Sequence, residues 1–360
     1  MEALKNSWLG KGLPDAADLA EGAVSQTPEM ADAFLEKSAD KRPTPLLDLP
    51  GLAGELGVGA LFIKDERDRM GLGSFKALGA AYAIAKRAGQ RLRDGEATNL
   101  ETALEGETFA CASAGNHGLS LAAGAPLYGA KAVVFVSETV PEAFAVRLRH
   151  KGAQVVRAGA TYEDSMEAAR KQAAEEGWIL LPDSTWPGMT DAGRDVMEGY
   201  LIMGNEIARQ IPAPPTHVFL QAGVGGLAAA CAVSARATCG RDVTIVVVEP
   251  EHAPALNASI EAGRPVTAPG PVSIMGRLDC KEPSHLALKY LAREADDFVT
   301  ISDAEAADTV AWLAGYGLAT TASGAAGIAV LHHAGALRDA LKLTGNSRVL
   351  CYLSEGPEDG

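Results

Sequence analysis

The chain has 360 residues, 47% of them hydrophobic, which exceeds one ordinary domain and is ample for a sizeable core shared between two lobes. A formal net charge of −14 argues against a nucleic-acid partner, because neutralising phosphates takes clustered Lys and Arg. Five scattered cysteines (Cys111, Cys231, Cys239, Cys280, Cys351) without a C-x-x-C pair indicate neither a disulfide framework nor zinc. The start is charged and no uninterrupted apolar run reaches about 18 residues, so a cytoplasmic protein with no membrane contact is expected.

In chain order, Asp65, Glu66, Arg67 and Asp68 form a charge run expected on a solvated loop, and a helical run of small and apolar residues begins at Phe75. The polar, glycine-containing stretch 89–107 reads as a hinge or surface connection. Short apolar, mostly β-branched runs at 109–112, 132–136, 154–157, 178–181, 217–220, 243–249, 298–301 and 348–353 predict strands. Between them, 141–151, 162–176 and 303–316 predict helices, the last opened by Ser302 as N-cap with Glu305 three residues on. This alternation specifies an α/β fold in which a mainly parallel sheet is covered by helices. The proline-rich stretch 211–216 is a rigid surface link. His332 and His333 fall in an alanine-rich helix, where adjacent side chains point apart, so no metal pair is expected there.

Three motifs carry the chemistry. Ser74-Phe75-Lys76 offers an amine at the start of a helical run, although a lysine there, taken alone, reads equally as a surface residue. Ser113-Ala114-Gly115-Asn116-His117-Gly118 follows a strand and opens a helix; Ser and Asn also cap helices for structural reasons. Gly223-Val224-Gly225-Gly226-Leu227 follows the strand at 217–220, so its N–H groups and the helix dipole can meet a dianionic phosphate, while a tight strand-to-helix turn explains the same glycines. A reactive amine, a polar turn and a phosphate cradle in this order are what an enzyme using pyridoxal 5'-phosphate (PLP) requires. Asp183 and Trp186 directly follow the strand at 178–181, where folds of this kind place their sites; capping and packing remain the alternative.

These residues resemble the tryptophan-synthase-β, or fold-type II, family of PLP enzymes, and within it the diaminopropionate ammonia-lyase group. The likeness rests on Lys64-Asp65-Glu66-Arg67 leading into Ser74-Phe75-Lys76-Ala77-Leu78-Gly79, on Gly115-Asn116-His117-Gly118, and on Asp183-Ser184-Thr185-Trp186-Pro187-Gly188. Gly276-Arg277-Leu278-Asp279-Cys280 and Ser354-Glu355-Gly356 extend it, so that it spans about residues 44–356.

The resemblance implies two lobes, each with a mainly parallel sheet flanked by helices and with the active site between them: a large PLP-binding domain at 1–104 and 184–360, a small domain at 105–183. It implies that Lys76 holds PLP as an imine and then removes the Cα proton of a small amino acid, with Asp183 engaging the substrate's second amino group. Asn116 would meet the cofactor's ring oxygen, residues 223–227 its phosphate and Ser354 its pyridine nitrogen, while Ser113, Ala114, Gly115, Asn116 and His117 would bind the substrate carboxylate. The implied reaction is β-elimination, with 2,3-diaminopropionate giving pyruvate and ammonia, in a homodimer.

One departure stands out: the ammonia-lyase group commonly has Asp immediately before Gly-Asn-His-Gly, and this chain has Ala114. Cys280 is read as a thiol without a catalytic role. A serine, threonine or 3-hydroxyaspartate dehydratase would use the same machinery. A nicotinamide-dependent oxidoreductase could use the glycine loop with Glu249 as ribose-binding acid, but would leave the other two motifs without a task.

Overall fold

A computed structural model describes residues 1–14, 19 and 42–357. Eleven strands are assigned among these residues: β1 (Glu2–Lys5), β2 (Leu46–Asp48), β3 (Ala60–Asp65), β4 (Thr108–Ala112), β5 (Lys131–Val136), β6 (Ala153–Arg157), β7 (Ile179–Leu180), β8 (His217–Gln221), β9 (Thr244–Pro250), β10 (Asp297–Ile301) and β11 (Arg348–Leu353). They form a seven-stranded sheet in the order β1-β10-β9-β8-β11-β3-β2 and a four-stranded sheet in the order β6-β5-β4-β7. All pairs are parallel except the two edges of the larger sheet, where β1 and β2 run antiparallel to β10 and β3. All four strands of the smaller sheet lie within 105–183.

The near-continuous apolar runs follow from helices covering both faces of the large sheet. Successive side chains of a strand point to opposite faces, so Val218 and Leu220 join one buried cluster while Phe219, between them, joins another. Ile245 and Val247 likewise oppose Val246 and Val248. Burying each such side chain fully contributes about 1.5–3 kcal/mol. Helix Gly226–Cys239 packs on the first face and helix Ala322–His332 on the second.

The helix Ala77–Arg93 presses closely on Asp191–Gly199, because a Cβ at Gly199 would lie 2.6 Å from the Leu78 carbonyl oxygen. The helix runs through Gly89 to Arg93, so only the remainder of the expected connection, from Asp94 onward, leaves helical structure. Helix Tyr162–Glu176 has the expected bounds, with Thr161 and Asp164 forming an unforeseen capping box. The Ser302–Glu305 capping box forms as expected, but its helix, Asp303–Ala314, ends before Tyr316.

Only part of the charge run at 65–68 is solvated: Asp68 is exposed, but Asp65 ends β3 and Glu66 is buried. Glu66 and Arg69 are buried, and Arg69 forks onto both Glu66 and Glu206 at 2.7 Å. Lys64, also buried, reaches Glu206 at 2.6 Å and the Thr44 carbonyl at 2.7 Å. Burial pushes the Lys64 ammonium below its usual range against the pull of Glu206 and Glu66. Two cations and two carboxylates thus neutralise one another and join β3 to helix Leu201–Gln210. No helix among the described residues is long and apolar enough to cross a membrane.

Candidate active site

Parallel strands deliver the motifs from their carboxyl ends, the place where open α/β sheets build sites. Lys76 follows the loop after β3, Ser113–His117 follow β4, Asp183 follows β7, the glycine loop follows β8 and Ser354 follows β11. Lys76 and Ser354 are brought together by an antiparallel bridge between Ser74 and Glu355, flanked by Phe75 N–H to the Ser354 carbonyl (3.0 Å) and Gly356 N–H to the Gly73 carbonyl (2.9 Å).

The Lys76 ammonium is ion-paired with Asp183, each side chain about a quarter exposed (24% and 23%). Burial alone would push the Lys76 pKa down, but Asp183 and then Tyr200 outweigh it, so the ammonium is held above its usual range. Burial would raise the Asp183 carboxyl, yet the Lys76 ammonium holds it well below the usual carboxylate range. Burial also lowers the His117 pKa against the Asp183 charge, leaving a neutral imidazole. Its Nε2 donates to the Leu181 carbonyl at 2.8 Å, and its buried Nδ1 has no hydrogen-bond partner among the described residues.

The turn after β4 uses some of the amides expected to face a ligand. Ser113 N–H donates to the Phe135 carbonyl at 3.0 Å, while the Ser113 hydroxyl accepts from Gly115 N–H (3.2 Å) and Gly118 N–H (3.1 Å). The amides of Ser113 and Gly115 therefore shape the turn. The N–H groups of Ala114, Asn116 and His117 donate to no loop carbonyl or side chain among the described residues, as the first turn of a helix permits.

Several participants were not foreseen. Glu355 accepts from Asn116 Nδ2 (2.8 Å) and Arg277 Nε (2.9 Å), and Thr321 donates to its other carboxylate oxygen. It thereby ties the turn after β4 to the loop at 276–280. Gln221 Nε2 donates to the Ser354 hydroxyl at 3.0 Å, so the serine's own proton is directed elsewhere. Tyr200 stacks edge-on against Phe75, with ring centroids 4.9 Å apart. Cys280 lies beside Gly223, where an added Cβ would come within 3.0 Å of its Sγ; burial pushes the thiol up to about 11, so it is protonated at neutral pH. Glu355, Gln221 and Tyr200 were not singled out in the sequence, because each is brought to the site by a distant strand or loop.

The residues fit a phosphate-bearing pyridine cofactor. No loop carbonyl among the described residues accepts from the N–H groups of Gly223, Val224, Gly225, Gly226 or Leu227. Gly225 has φ +101°, and a Cβ there would lie 3.0 Å from Ala287 Cβ; one at Gly223 would lie 3.0 Å from the Arg277 carbonyl oxygen. The cradle therefore depends on absent side chains, with its amides at a helix N-terminus where an anion is favoured. Glu249 cannot serve as a ribose-binding acid. It is 1% exposed, and its carboxylate accepts from the Leu256 (2.8 Å) and Asn257 (2.7 Å) amides.

A two-sheet fold that gathers a lysine, a glycine turn at a helix N-terminus and a serine at the strand ends is that of a fold-type II PLP enzyme. A family model described as pyridoxal-phosphate dependent enzyme matches residues 37–355, and the chain belongs to that family. It is 32% identical to diaminopropionate ammonia-lyase of Escherichia coli (strain K12) over 352 residues, 92% of this chain and 88% of that protein. The crystal structure of the Escherichia coli enzyme in complex with an aminoacrylate-PLP azomethine reaction intermediate superposes with a TM-score of 0.85 at 30% identity, covering 99% of this chain and 93% of that one. A crystal structure of the threonine deaminase from T.th. gives a TM-score of 0.74 at 26% identity, covering 92% of this chain and 98% of that one. The chain is thus a PLP-dependent lyase of the group that contains these ammonia-lyases and dehydratases, acting by β-elimination on a small amino acid.

Proposed function

We propose that the chain eliminates ammonia from 2,3-diaminopropionate, giving pyruvate and ammonia. PLP, when bound, supplies the electron sink for charge developing at the substrate Cα. Lys76 is proposed to hold it, with Asn116 at its ring oxygen, the amides of residues 223–227 at its phosphate and Ser354 at its pyridine nitrogen. A serine hydroxyl that accepts from Gln221 has its proton available for that nitrogen and, unlike a carboxylate, leaves it largely unprotonated. The amides of Ala114, Asn116 and His117 are proposed to orient the substrate carboxylate at the helix N-terminus. The lobes are proposed to be 1–104 with 184–360, and 105–183, a division supported by the confinement of the four-stranded sheet to the latter range.

The observation that carries the substrate assignment is the Lys76–Asp183 ion pair. Lys76 Nζ is the base that takes the Cα proton, and to do so it must be neutral, whereas Asp183 stabilises its charged form. The β-ammonium of diaminopropionate is a cation that can take over the Asp183 carboxylate and so release Lys76 from it. The hydroxyl of serine or threonine carries no charge to make that exchange. Asp183 thus couples recognition of a second amino group to freeing of the base.

Asp183→Asn tests this reading. Truncating one partner of a hydrogen-bonded charge pair costs about 2–5 kcal/mol in binding, so kcat/KM for diaminopropionate should fall on the order of 100-fold, while that for L-serine, whose reaction no longer has Asp183 holding Lys76 charged, should not fall. Equal losses on both substrates would support the dehydratase alternative, in which Asp183 has no bond specific to an amine.

A further inference from the structure

We propose that Asp308, His332 and His333 form a binding site for a divalent transition metal of the zinc class, at the opposite end of helix Ala322–His332 from Glu355. Adjacent residues in a helix diverge, but the helix ends at His332, and His333 has left it with φ −107° and ψ 18°. The imidazoles therefore converge, with ring centroids 4.6 Å apart, beside Asp308 on helix Asp303–Ala314. One ligand atom from each residue lies within 4.8 Å of the others.

Asp308 Oδ2 is 3.3 Å from His333 Nε2 and 3.7 Å from His332 Nδ1. Tetrahedral zinc with bonds of about 2.0–2.1 Å separates its ligand atoms by roughly 3.4 Å, so little movement is needed to close the shell. His333 Nε2 is shielded from solvent and makes no hydrogen bond among the described residues.

The surroundings hold the ligands in place. Trp312 stacks on the His332 ring at 4.4 Å with an 18° interplanar angle, and Tyr316 braces Trp312 edge-on at 5.3 Å. The Thr309 hydroxyl donates to the Glu305 carbonyl (2.8 Å), so its oxygen accepts from His332 Nδ1 at 3.2 Å in the metal-free protein. Ligation through Nδ1 moves that proton to Nε2, a tautomer exchange without change of charge. The carbonyl end of the helix dipole favours a cation here, and three protein ligands leave a fourth position for water or a small anion.

Chelator-stripped, PLP-loaded protein should bind one Zn²⁺ per chain by calorimetry. Co²⁺ in its place should give tetrahedral visible absorption without a thiolate-to-metal band. His333→Ala and Asp308→Asn should each raise the Zn²⁺ Kd on the order of 100-fold or more, with cofactor absorption and metal-free turnover unchanged. Asp308 is 63% exposed, so its substitution leaves the core untouched. Unaltered Zn²⁺ affinity in Asp308→Asn, a thiolate band, or no saturable binding would overturn the proposal.

Discussion

Lys76 and Asp183 hold one another in their charged forms, and what each can do next depends on which groups share the space. Ala114 is the informative neighbour. It stands exposed in the turn after β4, where the ammonia-lyase group commonly carries aspartate. On the proposed mechanism an L-amino acid loses its Cα proton to Lys76, whereas the D isomer needs a base on the opposite face, and an alanine side chain supplies none. The unmodified protein should prefer the L isomer strongly, and Ala114→Asp should raise D-isomer turnover by ~10²–10⁴-fold, the contribution of a placed general base. Pyruvate release from both isomers measures it; equal rates in the unmodified protein would show that another group, Asp183 foremost, serves the second face.

At the scale of elements, the strand-to-helix turn at Gly223–Leu227 is the part most exposed to single substitutions. Gly225→Val would force a branched side chain into φ +101° and against Ala287 and Leu256, at 3.0 and 3.1 Å from the new Cβ. PLP titration should show weakened cofactor retention, and unchanged affinity would remove this turn from the phosphate site. The ion cluster linking β3 to helix Leu201–Gln210 makes a different demand. Glu206→Gln leaves Lys64 and Arg69 with Glu66 as the sole remaining carboxylate of the cluster, and should cost about 3–5 kcal/mol in urea unfolding; a loss below about 1 kcal/mol would mean the cluster is solvated in solution.

Elements with a local cause were legible in the sequence. The strands β5, β9, β10 and β11 announce themselves by apolar runs, and the Ser302 capping box lies within four residues of chain. What depends on distant partners was not legible. Glu66 reads as solvated until Glu206, 140 residues away, supplies the second carboxylate that lets Arg69 be buried with it. The edge strands β1 and β2 are short and contain no fully buried residue, so no apolar pattern marks them. His332 and His333 converge only because the helix ends between them.

For the molecule as a whole, two sheets feed one site from the same ends of their strands. The residues proposed to meet the cofactor come from both: Asn116 from the small sheet, Lys76, Ser354 and the glycine loop from the large one. Glu355 bonds to Asn116 on one side and to Arg277 and Thr321 on the other, so the turn that would orient the substrate is held to the sheet that would hold the cofactor. On the proposed reading, the choice between leaving groups rests on Asp183. The most direct measurement is therefore the product ratio from L-2,3-diaminopropionate with the PLP-loaded protein. Hydrolysis after loss of the β-amine releases two molecules of ammonia for each pyruvate, and this ratio, at a rate above that for L-serine, is the predicted result. Absence of pyruvate from diaminopropionate, together with one ammonia per keto acid from L-serine or L-threonine, would contradict it.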